Sequence, residues 1–474
     1  MTTPYDLFIL GSGSTAFAAA IKANELGARV GMVERRTLGG TCANRGCLPS
    51  KNLIEAARIV WEAGHPRYAG LTPARIEVDF PTLIGQKDDV VRDYRAKKYA
   101  AVADGIDLEV LDGDARFAAP HTISLDGRTI DADRILVATG SRPTVPAIRG
   151  LDSVPFLTSD LLDADEAGRL TELPGSLIVL GGGYVAAELA QMFARLGSRV
   201  TIVARSEFLR GYEPVLGQTL AESFRAEGIE ILASTRVERV SGDGRGVAVA
   251  VETPDARRIL RADRLLVATG RTPNTENLEL ETAGIALDEA GVVVVNRELR
   301  TKVDHIWAAG DVIGRQHGSQ MATPVGARQG RLVAENALAA ARKPFDGTVI
   351  PRAIFTDPPI GTVGLTEAEV KARHTPAVTA TTPLAYVPRA GAIHKPEGVV
   401  KMIASTIDER ILGVHVIGEA ASEVIHEAAM AMHFKATIGD FVDLIHVYPT
   451  MSEALKIGAQ AFSRDVSKLS CCAE

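Results

Sequence analysis

The chain has few cysteines, few aromatic residues and no long hydrophobic run. Its 474 residues include 4 cysteines, and aromatic residues make up 5% of them. So few cysteines exclude a disulfide framework, and no apolar run approaches the ~20 residues that span a bilayer. The formal net charge of -7 excludes the basic surface that nucleic-acid binding requires. The composition therefore predicts a protein with neither nucleic acid nor a membrane as partner.

The remaining composition is that of a globular protein with several domains. Hydrophobic residues make up 46% of the chain and charged residues 23%, and this length predicts roughly two to four domains. The first predicted strand begins within a few residues of Met1, which leaves no room for a signal peptide. We therefore expect a cytoplasmic protein.

The four cysteines form two close pairs at opposite ends of the chain, Cys42 with Cys47 and Cys471 with Cys472. The first pair lies in a glycine-rich stretch that leads into a predicted helix. Helical geometry between these two cysteines would bring the sulfurs to one side, and a helix start lowers a thiol pKa. The alternatives are two inert buried cysteines or half of a zinc site. Zinc sites usually have two short-spaced ligand pairs, which the sequence lacks, so a redox-active pair is favoured.

A dinucleotide-binding pattern precedes this pair. A buried strand at Asp6–Leu10 runs into a G-x-G-x-x-A fingerprint, and a helix and a second strand follow, ending on Glu34. The fingerprint residues are Gly11, Gly13 and Ala16. An acid about twenty residues after the fingerprint suits a ribose hydroxyl. This unit is predicted to bind FAD.

The same dinucleotide-binding pattern occurs a second time, but its second strand is followed by different residues. After the strand Ser176–Leu180 the fingerprint residues are Gly181, Gly183 and Ala186. The second strand is followed by Arg205 and Arg210 instead of an acid. Two arginines suit a 2′-phosphate, although they could also be ordinary surface residues. This unit is predicted to bind NADPH.

Repeated segments indicate a discontiguous domain order. Residues 134–143 and 264–274 share an Ala-Thr-Gly turn, which includes Thr139, Gly140 and Gly270. The segment containing Asp311 and Val312 then returns to the first unit, where Asp311 could bind the flavin's sugar-chain hydroxyls or be a turn aspartate. We predict an α/β fold with two Rossmann-like domains and a C-terminal α+β domain. The predicted boundaries are 1–150 and 271–346 for the FAD domain, 151–270 for the NADPH domain and 347–474 for the last domain.

Together these motifs resemble the pyridine nucleotide–disulfide oxidoreductase family over nearly the whole chain. The resemblance implies that Cys42 is the interchange thiol and that Cys47 lies beside the flavin. It also implies an ion pair of Lys51 with Glu188 near the flavin N5, a nicotinamide gate at Tyr184 and a flavin contact at Asp311. Further implied cofactor contacts are Gly40, Thr41 and Lys51 for FAD, and Glu188 for NADPH. The last domain is implied to form a homodimer whose active sites are each shared between the subunits.

One departure from the family concerns its catalytic base. Family members that reduce disulfides carry a His-Pro-Thr-x-x-Glu-like motif. Its His is the catalytic base, and its Glu positions that His. Here Tyr448 takes that place and Glu453 remains. A phenol, with an unperturbed pKa of about 10, is a poor proton shuttle at neutral pH. His446 comes two residues too early, roughly 6–7 Å away along an extended chain. Reduction of an organic disulfide is therefore expected to be disabled.

The other departure is the terminal pair, Cys471 and Cys472. Adjacent Cα atoms lie about 3.8 Å apart, below the usual disulfide range of about 4.4–6.8 Å, so a bridge between them would be strained. Two free thiolates suit a soft metal ion; the alternative is a disordered tail with incidental cysteines. Tyr448 with this tail resembles the mercuric reductase branch of the family. Tyr99 resembles that branch's second active-site tyrosine, with a surface residue as the alternative.

This resemblance implies NADPH-dependent reduction of Hg²⁺, delivered as a thiol complex, to Hg⁰. The implied metal ligands are Cys42, Cys47 and the partner subunit's terminal cysteine pair. The amino-terminal Cys-x-x-Cys module of many members is not in this sequence, so we expect a catalytic core alone. A dihydrolipoamide or low-molecular-weight disulfide reductase is the first alternative. A soft-metal binding or sequestering protein with a vestigial cofactor fold is the second.

Overall fold

A parallel sheet organises the amino-terminal half of the protein. The structure, a computed structural model, describes residues 5–165, 170–242, 244 and 246–470. In spatial order the strands of this sheet are Ile306–Ala308, Ile135–Val137, Leu7–Leu10, Val30–Glu34 and Glu109–Asp112. The central strands are apolar at nearly every position because helices cover both faces of a parallel sheet. The outer strand Ile306–Ala308 pairs with Ile135–Val137, so the chain leaves this sheet and returns to it.

A second parallel sheet repeats this arrangement. Its strands, in spatial order, are Glu230–Leu232, Arg199–Val203, Ser176–Leu180 and Arg264–Val267. Each of the two units also carries a three-stranded antiparallel sheet. These strands are Ala115–Ala119, Thr122–Leu125 and Arg128–Asp131 in the first unit, and Arg236–Gly242, Val247–Glu252 and Arg257–Ala262 in the second. Neither the short strand Arg128–Asp131 nor the three strands of the second unit's antiparallel sheet is predicted from the sequence.

The two repeated Ala-Thr-Gly segments meet in space. Strand Ser141–Pro143 pairs antiparallel with Arg271–Pro273, and the hydroxyls of Thr144 and Thr272 lie 2.7 Å apart. This small two-stranded ladder joins the two units at the points where the chain leaves each parallel sheet. The exact domain boundaries stay predictions.

The C-terminal region is α+β, as predicted. Its antiparallel sheet contains, in spatial order, Arg352–Ile354, Ile360–Gly364, Ile411–Ile417, Val399–Ser405 and Ala377–Pro383. Its helices are Glu367–Ala372, Pro388–Ala392, Ala421–His433, Ile438–Asp443 and Glu453–Gln460. The helices Ala421–His433 and Glu453–Gln460 pack on this sheet and bury a separate apolar core.

The other helices surround the two parallel sheets. The α-helices are Ser14–Glu25, Gly40–Arg45, Cys47–Gly64, Phe80–Arg95, Ala101–Gly105, Tyr184–Leu196, Pro214–Ala226 and Thr323–Leu338. A π-helical segment spans Ala96–Ala100, and 3₁₀ turns span Leu151–Ser153, Ser159–Leu162, Leu280–Ala283, Gly310–Ile313, Arg315–His317, Leu384–Tyr386 and Val466–Lys468. Among the described residues, no helix has both the length and the apolar character needed to cross a membrane.

Candidate active site

The redox loop, residues 39–47, is a short helix broken by a glycine. Helix Gly40–Arg45 ends at Gly46, and Cys47 begins the next helix. Gly40 has φ 64°, and a Cβ atom there would lie 2.7 Å from the Cα atom of Gly13. The glycine is therefore required, because a side chain would strain the backbone and collide with the first fingerprint. This contact places the cysteine pair against the nucleotide-binding turn.

The two thiols share one proton. Cys42 is half-buried and Cys47 is exposed, and both are free thiols. A hydrogen bond donated by Cys42 is the largest influence on Cys47, and it lowers the pKa of Cys47 to about 6. The same hydrogen bond, with burial and repulsion from Cys47, raises the pKa of Cys42. Cys47 is therefore the thiolate, and Cys42 keeps the proton.

A threonine that the sequence analysis missed also contacts this thiolate. The hydroxyl oxygen of Thr323 lies 3.7 Å from the sulfur of Cys47, and this contact further lowers the Cys47 pKa. Thr323 begins helix Thr323–Leu338 and is followed by Pro324, which is a typical helix start. The sequence therefore indicates a helix start at Thr323, but nothing in the sequence indicates that this residue contacts Cys47.

Lys51 and Glu188 form a partly buried ion pair. The ammonium nitrogen of Lys51 lies 2.7 Å from Glu188 Oε2 and 4.7 Å from the centre of the Phe355 ring. The backbone N–H of Phe355 donates to Glu188 Oε1 at 2.9 Å. The positive charge of Lys51 lowers the Cys47 pKa, and the negative charge of Glu188 raises it. The structure thus assembles the predicted pair next to the thiolate; its position relative to a flavin stays a prediction.

A cavity of about 590 Å³ opens along the first fingerprint. Predicted FAD-binding residues in its wall are Gly11, Gly13, Glu34, Gly40, Thr41, Thr139 and Gly140. A Cβ atom on Gly11 would lie 2.5 Å from the carbonyl oxygen of Ala138, so a larger residue would close the turn. The carboxylate of Glu34 stands at the strand end and accepts hydrogen bonds from the backbone N–H and hydroxyl of Ser12. This glycine cradle with a terminal carboxylate fits a dinucleotide such as FAD.

Four other predicted FAD residues lie outside the walls of this cavity. Ala16 and Val312 are fully buried, so their side chains pack in the protein interior. Asp311 accepts a hydrogen bond from the Ser141 hydroxyl at 2.6 Å, and its Oδ2 lies 3.8 Å from Arg271 Nε. Lys51, the fourth, pairs with Glu188 as described. Asp311 is thus anchored by the ladder that joins the two units.

The second fingerprint has the packing of a nucleotide site and two arginines beside it. A Cβ atom on Gly182 would lie 2.7 Å from the Cβ atom of Ala204, so the glycine turn touches the strand end that carries Arg205. Arg205 and Arg210 are exposed, and within the described part of the chain neither forms an ion pair. These arginines and this cradle fit the phosphorylated ribose of NADPH.

The other predicted NADPH residues surround the same turn. Gly181 and Gly270 both have φ 130°, and Gly183 caps helix Tyr184–Leu196, in which Ala186 is fully buried. Burial raises the pKa of Tyr184 to about 12. Tyr184 is therefore a neutral phenol at physiological pH, and its role as a nicotinamide gate stays a prediction.

Tyr99 is buried beside the redox loop, so the alternative of a surface residue is wrong. It lies in the π-helical segment Ala96–Ala100 and packs edge-on against Phe17 at 4.9 Å between ring centres. A Cβ atom on Gly39 would lie 3.0 Å from its ring. Burial raises the pKa of Tyr99, so it remains a neutral phenol near the cysteine pair.

Tyr448 and Glu453 line a second cavity, of about 520 Å³, whose walls contain neither Cys42 nor Cys47. Tyr448 is 50% exposed, and Glu453 accepts a hydrogen bond from the backbone N–H of Thr450 at 3.1 Å. The walls of this cavity include Ser470. Cys471 and Cys472 lie outside the described residues.

His446 does not replace the missing base. Its Nε2 lies 2.8 Å from Glu427 Oε1, and its Nδ1 lies 3.1 Å from the carbonyl oxygen of Leu444. Both ring nitrogens therefore lie within hydrogen-bond distance of oxygen atoms of the same subunit. This geometry is consistent with the expectation that His446 does not act as the catalytic base.

The fold and the site define a dithiol oxidoreductase with two dinucleotide sites. Residues 5–330 match the family model described as pyridine nucleotide-disulphide oxidoreductase, and residues 350–459 match that family's dimerisation domain. The chain belongs to the pyridine nucleotide–disulphide oxidoreductase family, and its dimerisation domain makes it a homodimer.

Several relatives within this family are mercuric reductases. The chain is 43% identical to the mercuric reductase of Streptomyces lividans, over 99% of both chains. It is 41% identical to that of Staphylococcus aureus, over 99% of this chain and 84% of the other. Among solved structures, a Cu(II) complex of the HOCl-induced flavoprotein disulfide reductase RclA from Escherichia coli matches with a TM-score of 0.84 and 31% identity. That match covers 97% of this chain and 99% of the other.

Proposed function

We propose that this protein reduces Hg²⁺ to Hg⁰ with NADPH as the electron donor and FAD as the cofactor. The net reaction converts NADPH and Hg²⁺ to NADP⁺, Hg⁰ and one proton, and the two electrons come from the hydride of NADPH. The observation that carries this proposal is the Cys42–Cys47 pair, with its thiolate at Cys47, in a chain that has Tyr448 where a disulfide reductase needs a base. The similarity to mercuric reductases supports it.

The cysteine pair suits a soft metal ion as its substrate. When bound, FAD supplies a two-electron acceptor and donor between NADPH and this pair. Cys47 offers a thiolate at neutral pH because its pKa is about 6, and Cys42 releases its proton as the metal takes its place. Two soft sulfurs meet the preference of Hg²⁺ for two nearly linear thiolate ligands.

The position of Tyr448 separates this reaction from disulfide reduction. A disulfide reductase must protonate a departing thiolate, and neither Tyr448 nor His446, which lies beside Glu427, is suited to that step. Reduction of the bound metal ion leaves no thiol product to protonate at that step. We therefore assign Tyr448 and Tyr99 to steering or binding the metal, as neutral phenols.

The active site is completed by the second subunit in this proposal. Tyr448 lies on a C-terminal face with exposed apolar side chains, which a dimer would cover. We infer that Tyr448 of the partner subunit reaches the Cys42–Cys47 pair, and that Cys471 and Cys472 deliver the metal from the same direction. Four cysteines in so long a chain are not a disulfide framework, which is typical of reducing compartments, so we also propose a cytoplasmic location.

The test is NADPH oxidation driven by Hg²⁺ in excess small thiol. Parent enzyme is compared with the Cys471→Ala/Cys472→Ala variant, and Ser470→Ala serves as the matched control beside the tail cysteines. We expect Hg²⁺-dependent oxidation in the parent and control, and its collapse in the double variant. Equal rates in all three would remove the delivery role and keep the reductase.

Two outcomes would replace the proposal by its alternatives. No Hg²⁺-dependent oxidation, with turnover of dihydrolipoamide or a small disulfide, would make the protein a disulfide reductase. Hg²⁺ binding without NADPH oxidation or Hg⁰ release would make it a sequestering protein. Measuring Hg⁰ vapour together with NADPH absorbance distinguishes all three.

A further inference from the structure

Arg45 is a buried cation between the two redox cysteines. Its side chain is 5% exposed, and its Nε lies 3.2 Å from Oδ2 of Asp163, whose side chain is 1% exposed. Asp163 Oδ1 also accepts a hydrogen bond from the backbone N–H of Asp165 at 3.0 Å. Removing charges from water is costly unless their geometry is good. The charge of Asp163 therefore holds the Nε edge of the Arg45 guanidinium by electrostatic attraction rather than through a hydrogen bond.

Arg45 also faces the first dinucleotide cavity. Helix Gly40–Arg45 places Thr41 and Arg45 four residues apart, on one side of the helix. Both residues line the cavity of about 590 Å³, together with Gly11 and Gly13 of the fingerprint. The fingerprint glycines and the start of the following helix are where a dinucleotide places its diphosphate. A guanidinium beside that turn is suited to phosphate oxygens, because its planar fork donates several hydrogen bonds.

A second arginine in the same wall has the same support. Arg36 lines this cavity, and its Nη2 lies 3.3 Å from Asp160 Oδ2. Asp160 and Asp163 come from one short segment, the 3₁₀ turn Ser159–Leu162 and the residue after it. One short segment thus supplies the carboxylates that pair with two arginines of the cavity wall.

We propose that Arg45 binds the diphosphate of FAD and that Asp163 positions its guanidinium. Through Arg45, the loop that holds Cys42 and Cys47 is tied to the cofactor as well as to the protein. Arg45 is the binding residue, and Asp163 is a positioning residue that acts through it. This assignment depends on FAD binding and not on the reduction of mercury.

The rival explanation is a purely structural ion pair, and Arg95 provides the matched control. Arg95 also anchors the redox loop, because its Nη1 donates to Asn44 Oδ1 at 3.1 Å and to Asp165 Oδ2 at 2.6 Å. Arg95 does not line the cavity. Arg95→Met therefore removes a loop anchor without removing a group from the cofactor wall.

The experiment uses the FAD-loaded holoenzyme, without mercury. The variants are Arg45→Lys, Arg95→Met and the double variant Arg45→Met/Asp163→Leu, which removes both buried charges at once and so leaves neither unpaired. Two quantities are measured: the ³¹P resonances of bound FAD, and FAD release on dilution, followed by flavin fluorescence. We expect the ³¹P resonances to move in both Arg45 variants and not in Arg95→Met. FAD should dissociate about 10- to 100-fold more readily from the double variant.

Unchanged ³¹P resonances with FAD release within about twofold of the parent would reduce Arg45 to a structural residue. If the double variant does not fold, Arg45→Lys decides by its ³¹P spectrum, because lysine keeps the charge and loses the fork. If the parent enzyme does not reduce Hg²⁺, the proposed function is wrong. The assignment of Arg45 to the FAD diphosphate is still tested, since neither readout involves the metal.

Discussion

The redox loop and the C-terminal face around Tyr448 differ in how complete they are within one subunit. In the redox loop Asn44 and Arg45 are buried. The pKa of Cys47 is lowered by Cys42, Thr323 and Lys51 of the same subunit. On the C-terminal face, Ile445 is 86% exposed and Val447 77% exposed, on either side of His446. The first site is preorganised by its own fold, whereas the second is an apolar surface that needs a cover.

This difference explains why one protein contains both a reactive thiolate and a dimerisation domain. A thiolate is stabilised by short-range donors and charges, which neighbouring helices of one chain can supply. A contiguous apolar face is unfavourable in water, so it is stable when a second copy buries it. The chemistry is therefore prepared in each subunit and, in our proposal, completed across the interface.

The largest effect should come from the redox loop itself. Cys42→Ser replaces a soft sulfur ligand by a hard hydroxyl oxygen, which binds Hg²⁺ poorly. It also removes the thiol that donates to Cys47. Hg²⁺-dependent NADPH oxidation should fall by on the order of 10³-fold or more, with FAD still bound. Activity within tenfold of the parent would show that the metal is not reduced at this pair.

The next effect tests the exposed face. Ile445→Asp/Val447→Asp places charges in a surface that the dimer should bury, and it should weaken the dimer by roughly 10³-fold or more. Sedimentation velocity should then show monomers, and metal reduction should be lost with them. Ile259→Asp is the control, because Ile259 is a similarly exposed residue on the small sheet of the second unit. A variant that stays dimeric would place the interface elsewhere.

A smaller effect compares the two dinucleotide sites, which end on Glu34 in one case and on Arg205 and Arg210 in the other. Arg205→Glu/Arg210→Glu should raise the KM for NADPH by about 10²-fold or more, since each charge-assisted contact contributes about 1.5–3 kcal/mol. The KM for NADH should fall. Steady-state kinetics with both cofactors checks this, and Arg199→Glu, at the opposite end of the same strand, should leave both values unchanged. Retained NADPH preference would make these two arginines ordinary surface residues.

The finest effect concerns the Cys47 thiolate. Because its folded pKa is about 6, the thiolate is present above that pH and is lost as the pH falls through it. Thr323→Val removes a contact that lowers this pKa, so the midpoint should rise by about 0.5–1 unit. The pH dependence of Cys47 alkylation in the dithiol form measures it. Thr323→Ser keeps the hydroxyl and should match the parent; a midpoint that does not move in Thr323→Val would mean that the threonine is not a donor to the thiolate.

Much of the fold could be predicted because its signals are local. The strands before Gly11 and Gly181 are continuous apolar runs that end on glycine turns, and a turn that needs a glycine is visible in the sequence itself. The Cys42 to Cys47 spacing likewise indicated that the two sulfurs could meet. The antiparallel strand Arg128–Asp131 was missed because it is short and mostly exposed, so it carries no apolar pattern.

The sequence by itself determined the two nucleotide folds, the thiol pair and the departure at Tyr448, since each depends on residue types at short spacing. Only the tertiary structure decided which thiol carries the charge, because the Cys47 pKa depends on Thr323 and Lys51, which other parts of the chain bring to it. It also decided that Tyr99 is buried and that Arg45 meets Asp163. Such contacts join residues that are far apart in the chain, and a pKa or a buried charge responds to distance in space rather than to position in sequence.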